Sequence, residues 1–129
     1  MDGGSRGNPG PAAAAAVATD EAGNPLAERS RYLGETTNNV AEYQGVLLAL
    51  EVARELGATE VEVINDSELI ARQIGGQYRV KQEHLKPLYR EVMDALRAFD
   101  GWQVRSVRRE HNVRADELVN EELDARPRR

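Results

Sequence analysis

The chain has no cysteine, so neither a disulfide framework nor a thiolate metal site is open to it. Aromatic residues are scarce, 5% of the total, and the predicted core is therefore aliphatic. No apolar run approaches the 18 residues or so of a membrane helix. The longest weakly apolar run, Pro11 to Ala18, is mostly alanine, and no signal peptide begins the chain. These absences set the expectation of a cytoplasmic protein without a membrane segment. A basic surplus is missing too: the formal net charge is -5. That argues against strong bulk attraction to nucleic acid, although the acid is uneven. Residues 1–65 hold 4 basic and 10 acidic side chains, whereas residues 66–129 hold 13 and 12. Any binding to a duplex is expected to be modest and salt-sensitive.

What is present is 129 residues, 40% hydrophobic and 30% charged, which suits one domain around one core. A single domain over 1–129 is predicted, with the basic tail over 125–129 frayed. A strand end leads into a Gly/Pro-rich turn, Gly3 to Pro11. Ala12 to Thr19 is open to two readings. Five consecutive alanines favour helix by propensity. The turn clusters on either side, Gly10-Pro11 and Asp20 to Pro25, favour a strand in a hairpin with Leu26 to Leu33, and this fits better. Asn39 to Leu56 places Val40, Val46, Leu47, Leu50, Ala53 and Leu56 on one helical face and stops at Gly57. Glu60 to Asn65 alternates as a strand does. Ser67 to Ile74 reads as a short helix and Leu85 to Phe99 as a longer one. Pro87 stands near the start of the longer helix, and Leu88, Val92, Leu96 and Phe99 form its buried stripe. Trp102 to Val107 is a strand and Val113 to Leu123 the last helix.

Four acidic residues stand in four distinct contexts. Asp2 opens Asp2-Gly3-Gly4-Ser5-Arg6-Gly7-Asn8-Pro9-Gly10-Pro11. Glu42 follows Thr36-Thr37-Asn38-Asn39. Asp66 ends Val61-Glu62-Val63-Ile64-Asn65-Asp66, and Asp116 closes Asn112-Val113-Arg114-Ala115-Asp116. Taken singly, each has an ordinary structural role. Asn39-Val40-Ala41-Glu42 fits a capping box. Asp66 can cap the helix that follows it. Asp116 suits a first helical turn, where the dipole favours an acid. Asp2 can be a solvated acid. Together they make another chemistry available: oxygen ligands on separate elements suit Mg²⁺, which takes few protein ligands and keeps room for water and phosphate. The glycine-rich segment alone is a weak phosphate signal, because it lacks the lysine of a P-loop.

In this order and these surroundings, the four carboxylates, Asp2 to Pro11 and Asn38-Asn39-Val40-Ala41-Glu42-Tyr43 resemble type 1 ribonuclease H, especially its bacterial and archaeal group. The resemblance covers nearly the whole chain. It implies an α/β, ribonuclease H-like fold with a mixed five-stranded sheet flanked by helices. It implies a monomeric endonuclease that hydrolyses the RNA strand of RNA/DNA hybrids, leaving 5′-phosphate and 3′-hydroxyl ends. Asp2, Glu42, Asp66 and Asp116 are then both the catalytic residues and the ligands of two Mg²⁺ ions, with Mn²⁺ able to substitute. One ion activates water and the other stabilises the leaving 3′ oxygen. Substrate contacts fall to Gly4, Ser5, Asn8, Thr37, Asn38 and Asn39. Asn8 and the glycine-rich backbone meet the sugar edge of the RNA strand, Asn38 and Asn39 reach 2′-hydroxyls or nearby edges, and Thr37 with Asn8 holds a DNA-strand phosphate. The 2′-hydroxyl is the group that distinguishes RNA from DNA. His111 and Asn112 are accessory candidates. His111 stands in a short loop, out of register with the histidine some relatives use for proton transfer or product release; Asn112 also suits a turn or cap. Arg108, Arg109 and Arg114 border the site, with one or two of them candidates for touching phosphate.

Three features depart from the family pattern. Only Met1 precedes Asp2, so the central strand is expected to be weak at its start or the sequence trimmed. Gly75 to Lys81 is too short and insufficiently basic for the helical protrusion that aids hybrid binding in some relatives. Glu68 stands where a polar or basic residue is common. Two other readings stay open at this point: a non-catalytic hybrid-binding module of the same fold, which loss of a carboxylate would favour, and another nuclease of the fold, such as a resolvase. Thr36-Thr37-Asn38-Asn39 and Gly7-Asn8-Pro9-Gly10-Pro11 argue against the last.

Overall fold

The computed structural model describes residues 1–126. Three strands, β1 (Asp2–Ser5), β2 (Gly10–Thr19) and β3 (Pro25–Thr36), form an antiparallel meander with Asp2 opposite Ala15. Helix α1 (Asn38–Glu55) follows, then β4 (Glu60–Asn65), α2 (Glu68–Ile74) and α3 (Lys86–Leu96). Strand β5 (Gly101–Ser106) pairs in parallel with β4, and α4 (Val113–Asp124) closes the order. Five strands flanked by helices are as the sequence implied. The boundaries differ by a few residues, most at α3, which ends at Leu96 while buried Phe99 packs from the turn beyond.

The alanine run is a strand because two helices need it to be thin. Ala12 to Ala16 are at most 1% exposed. Ala14 and Ala16 pack against Leu48 and Val52 of α1, while Ala13 and Ala15 pack against Leu118, Val119 and Leu123 of α4. Tertiary burial on both faces overrides helix propensity here. Helix α1 is likewise buried on two sides. Tyr43, Val46 and Leu50 join the cluster with α3 and β4, and Leu48 and Val52 face β2. The single apolar face expected for it is too narrow, and Leu56 is 46% exposed rather than part of that face. A helix apolar on more than one side belongs inside a fold.

Between β1 and β4 the backbone ladder is interrupted. The pairing comprises a three-stranded and a two-stranded sheet, and the Met1 nitrogen donates to the Ile64 carbonyl at 2.9 Å across the seam. Beyond that bond an apolar cleft of about 370 Å³ runs between Ala16–Thr19 and Glu60–Ile64, floored by Ala49, Val52 and Ala53. None of the four singled-out carboxylates lines it. Of the tail expected to fray, Ala125 ends α4 and Arg126 pairs with Glu122 at 2.8 Å and lies over the Tyr32 ring; residues 127–129 lie outside the described residues. No helix among the described residues is long and apolar enough to cross a membrane.

The contact that orders this architecture is backbone on backbone. A Cβ on Gly3 would sit 2.0 Å from the Ala41 carbonyl oxygen, and one on Gly45 would sit 2.6 Å from the Asp2 carbonyl oxygen. Only glycine at both places lets β1 lie directly on α1. Replacing Gly3 by Ala is expected to destabilise the fold by at least the ~1–3 kcal/mol of an overpacked core, because rigid backbone must move. Urea denaturation measures this, and an unchanged midpoint contradicts it.

Candidate active site

Each of the four carboxylates is presented by the end or start of a buried element. Asp2 opens β1, Glu42 lies in the early part of α1, Asp66 follows the last residue of β4, and Asp116 is in the first turn of α4. The cap assignments separate their structural roles from other uses. Helix α1 is capped by Thr37, whose Oγ1 accepts from the Val40 N–H at 3.3 Å, so no capping box on Asn39 occupies Glu42. Helix α2 is capped by Ser67, whose Oγ accepts from the Ile70 N–H at 3.3 Å, so Asp66 is not the cap either. Asn65 braces this corner, its Oδ1 accepting from the Ser67 N–H at 2.9 Å.

The four are electrostatically coupled. Burial, then the charge of Asp66, pushes the Asp2 carboxyl up to about 7; Asp116 adds both charge and a hydrogen bond. Burial also pushes Glu42 up to about 7, with Asp66 and Asp2 adding to the rise and the Ser67 hydroxyl and Arg109 opposing it. Asp2 is 8% exposed, and so is the Asp66 side chain. The cation contact at this corner is Arg109 Nε, 3.4 Å from Asp66 Oδ2, on a side chain that is itself 80% exposed. Among the described residues no three acidic, histidine or cysteine side chains are already drawn in as a ligand set. The donor set is oxygen alone, buried at Asp2 and half-buried at Glu42, Asp66 and Asp116, which fits a hard divalent cation.

The remaining candidates fall into two groups. The glycine-rich loop and the start of α1 are knitted together: Asn8 Oδ1 accepts from the Asn38 N–H at 3.1 Å, and Asn38 Oδ1 accepts from the Ser5 N–H at 3.3 Å. Both amide oxygens thus face protein, which leaves the Nδ2 side of each amide as a donor. Gly4 lies under Asn38, with room for a Cβ 3.7 Å from its Oδ1, and the Ser5 hydroxyl is buried without a partner. Asn39 lines a groove of about 410 Å³ with Tyr78, Arg79 and Lys81. Gly75 to Lys81 forms no helix, and within it Tyr78 is 48% exposed with Arg72 over its ring at 5.4 Å. His111 stands outside the cluster; its side chain is mostly exposed and its nearest charged neighbour is Glu110 at 3.9 Å. Asn112 is buried, and its Nδ2 donates to the Met1 carbonyl at 2.7 Å. Arg114 is committed to Glu28 at 2.7 Å and Glu117 at 3.0 Å, so the expected border of three arginines reduces at this position to a structural clamp.

The raised acids fix the sign of a pH effect. Asp2 and Glu42 bind protons more tightly folded than unfolded, so stability is lost as pH rises from their unfolded values, 3.8 and 4.5, through about 7. Glu28, Glu55 and Glu83 are held low by Arg114, Arg29 and Lys86, and they act oppositely only at lower pH. In chelator, the thermal midpoint is expected to fall between about pH 5 and about pH 7, and Asp2→Asn should flatten that fall. A midpoint that rises across this window contradicts the cluster.

The family model described as reverse transcriptase-like matches residues 1–122. The bifunctional protein Rv2228c of Mycobacterium tuberculosis is 43% identical over 125 residues, 96% of this chain and 34% of that protein. The chain thus spans about a third of the length of its mycobacterial relatives. The crystal structure of RNase H1 from the archaeon Halobacterium salinarum superposes with a TM-score of 0.94 at 39% identity, covering 97% of this chain and 95% of that one. LC11-RNase H1, solved in complex with an RNA/DNA hybrid, superposes with a TM-score of 0.91 at 48% identity, covering 95% and 93%.

Proposed function

The chain belongs to the type 1 ribonuclease H family, and we propose that it is an endonuclease hydrolysing the RNA strand of RNA/DNA hybrids to 5′-phosphate and 3′-hydroxyl ends. The observation that supports this reading is the coupling of buried Asp2 with half-buried Glu42, Asp66 and Asp116, in which burial and neighbouring charge push Asp2 and Glu42 up to about 7. A relative at 48% identity that was solved with a hybrid supports the substrate.

In this reading the four carboxylates hold two Mg²⁺ ions, or Mn²⁺ in their place. When bound, such ions polarise the scissile phosphate and lower the pKa of the attacking water. The chain supplies the rest. Asp2, at the centre of the coupled set, and Glu42, both pushed up to about 7 chiefly by burial, are the groups that would have to be deprotonated to hold cations. Arg109, exposed and only loosely placed at 3.4 Å, can leave Asp66 without disturbing the core. The Nδ2 groups of Asn8 and Asn38, with the start of α1 at Asn39, donate to sugar edges of the RNA strand. Thr37 caps α1 and so fixes the direction in which those asparagines project. Tyr78, Arg79 and Lys81, in the groove that Asn39 shares, receive the second strand. A monomer in the cytoplasm is the proposed setting.

The test is incubation with a hybrid labelled on the RNA strand. Mg²⁺-dependent cleavage to 5′-phosphate and 3′-hydroxyl ends is expected, with double-stranded DNA intact and Asp66→Asn inert although folded. Cutting that survives chelation, or equal cutting of double-stranded DNA, counts against the proposal. Specificity has its own check. Since Thr37, not Asn39, caps α1, Asn39→Ala should keep the fold. Losing a hydrogen bond of about 0.5–1.5 kcal/mol should slow hybrid cleavage several-fold. A folded Asn39→Ala protein with the wild-type rate removes Asn39 from RNA recognition.

A further inference from the structure

Three helices begin at this site, and two of them are capped by their own N-cap side chains, Thr37 for α1 and Ser67 for α2. The third differs. Asn112 occupies the N-cap position of α4, a place where asparagine is among the best caps, yet its side chain makes no cap hydrogen bond. Its Nδ2 donates instead to the Met1 carbonyl, 111 residues away, at 2.7 Å in a buried setting. Met1 is the residue before Asp2. The Asn112 carbonyl meanwhile accepts the N–H of Asp116 at 3.2 Å. One residue is therefore bonded at its side chain to the strand bearing Asp2 and at its backbone to the residue Asp116. Besides the hydrogen bond between Asp2 and Asp116 themselves, the polar ties from the β1 side to α4 are Arg6 to Asp124 at 2.7 Å and to Asn120 at 3.3 Å, both exposed and at the far part of the helix. Exposed ties of that kind do little to fix geometry.

We propose that Asn112 is a positioning residue that holds Asp116 against Asp2, its side chain diverted from capping α4 to set the spacing of that carboxylate pair. The side-chain bond is buried and the backbone bond ends on Asp116 itself, so without this tie the start of α4 relaxes away from β1. Asn112 touches neither substrate nor cation; it acts through Asp2 and Asp116. The inference rests on the metal-holding role proposed for those two residues.

Two variants separate positioning from simple stability. Asn112→Ser keeps a side chain that caps α4 well but falls one bond short of the Met1 carbonyl. Asn112→Ala loses the bond to Met1 and gains no cap. Each is titrated with Mn²⁺ by calorimetry, in parallel with a thermal melt in chelator. Wild type is expected to bind Mn²⁺, and both variants to bind it about 10-fold or more weakly, in the range found for residues that orient metal ligands. Asn112→Ser should melt at or above the wild-type midpoint and Asn112→Ala below it. Weaker binding by Asn112→Ser with an intact melt supports positioning. Wild-type Mn²⁺ affinity in both folded variants overturns it and leaves the proposed function standing. A loss of affinity in Asn112→Ser only where its melt has fallen to match assigns Asn112 a structural role and also overturns it. No Mn²⁺ binding by wild type overturns the proposed function itself.

Discussion

The site depends on a place where two backbones touch without side chains between them. Gly3 of β1 lies against the Ala41 carbonyl, and Gly45 of α1 lies against the Asp2 carbonyl. This reciprocal contact brings Glu42, one residue beyond Ala41, into the field of Asp2. The other acids follow from it. With β1 fixed on α1, the Met1 nitrogen reaches Ile64 and draws the end of β4, with Asp66, alongside. The thin alanine strand β2 lets α4 approach from the opposite face, and Asp116 with it.

Such convergence is destabilising by itself. Burial and like charge push Asp2 and Glu42 far from their solution values, and the charged form of a buried acid is the unfavourable one. The fold tolerates this because the scaffold around it is over-determined. Small residues are packed on both faces of β2, and helix caps come from Thr37 and Ser67. A rigid frame suits a cation site, since only the side chains, and not the elements that carry them, have to draw in when an ion binds.

Much of this was legible from residue order. Carboxylates that end or begin elements stand next to strong local signals: the glycine-rich turn, the Thr-Asn-Asn run and an alternating strand. What could not be read were choices settled by distant contacts. Ala12 to Ala16 gave contradictory local signals, because only packing against both α1 and α4 makes a strand of them. The sequence offered Asn39 as the cap of a capping box, yet the helix starts one residue earlier and Thr37 takes the Val40 N–H. Arg108, Arg109 and Arg114 could not be told apart as border residues until β3 brought Glu28 to Arg114. Tyr78, Arg79 and Lys81 lie in an irregular segment where periodicity says nothing, and only folding placed them beside Asn39. The diversion of Asn112 links residues at opposite ends of the chain, beyond the reach of any local pattern.

The central claim is that these four carboxylates share divalent cations. Crystals of the protein with a hybrid and Mn²⁺, measured at the manganese absorption edge, test it most directly. Two anomalous peaks about 4 Å apart, bounded by Asp2, Glu42, Asp66 and Asp116, are the predicted result. A map with no peak among these residues, or with manganese bound only elsewhere, contradicts it.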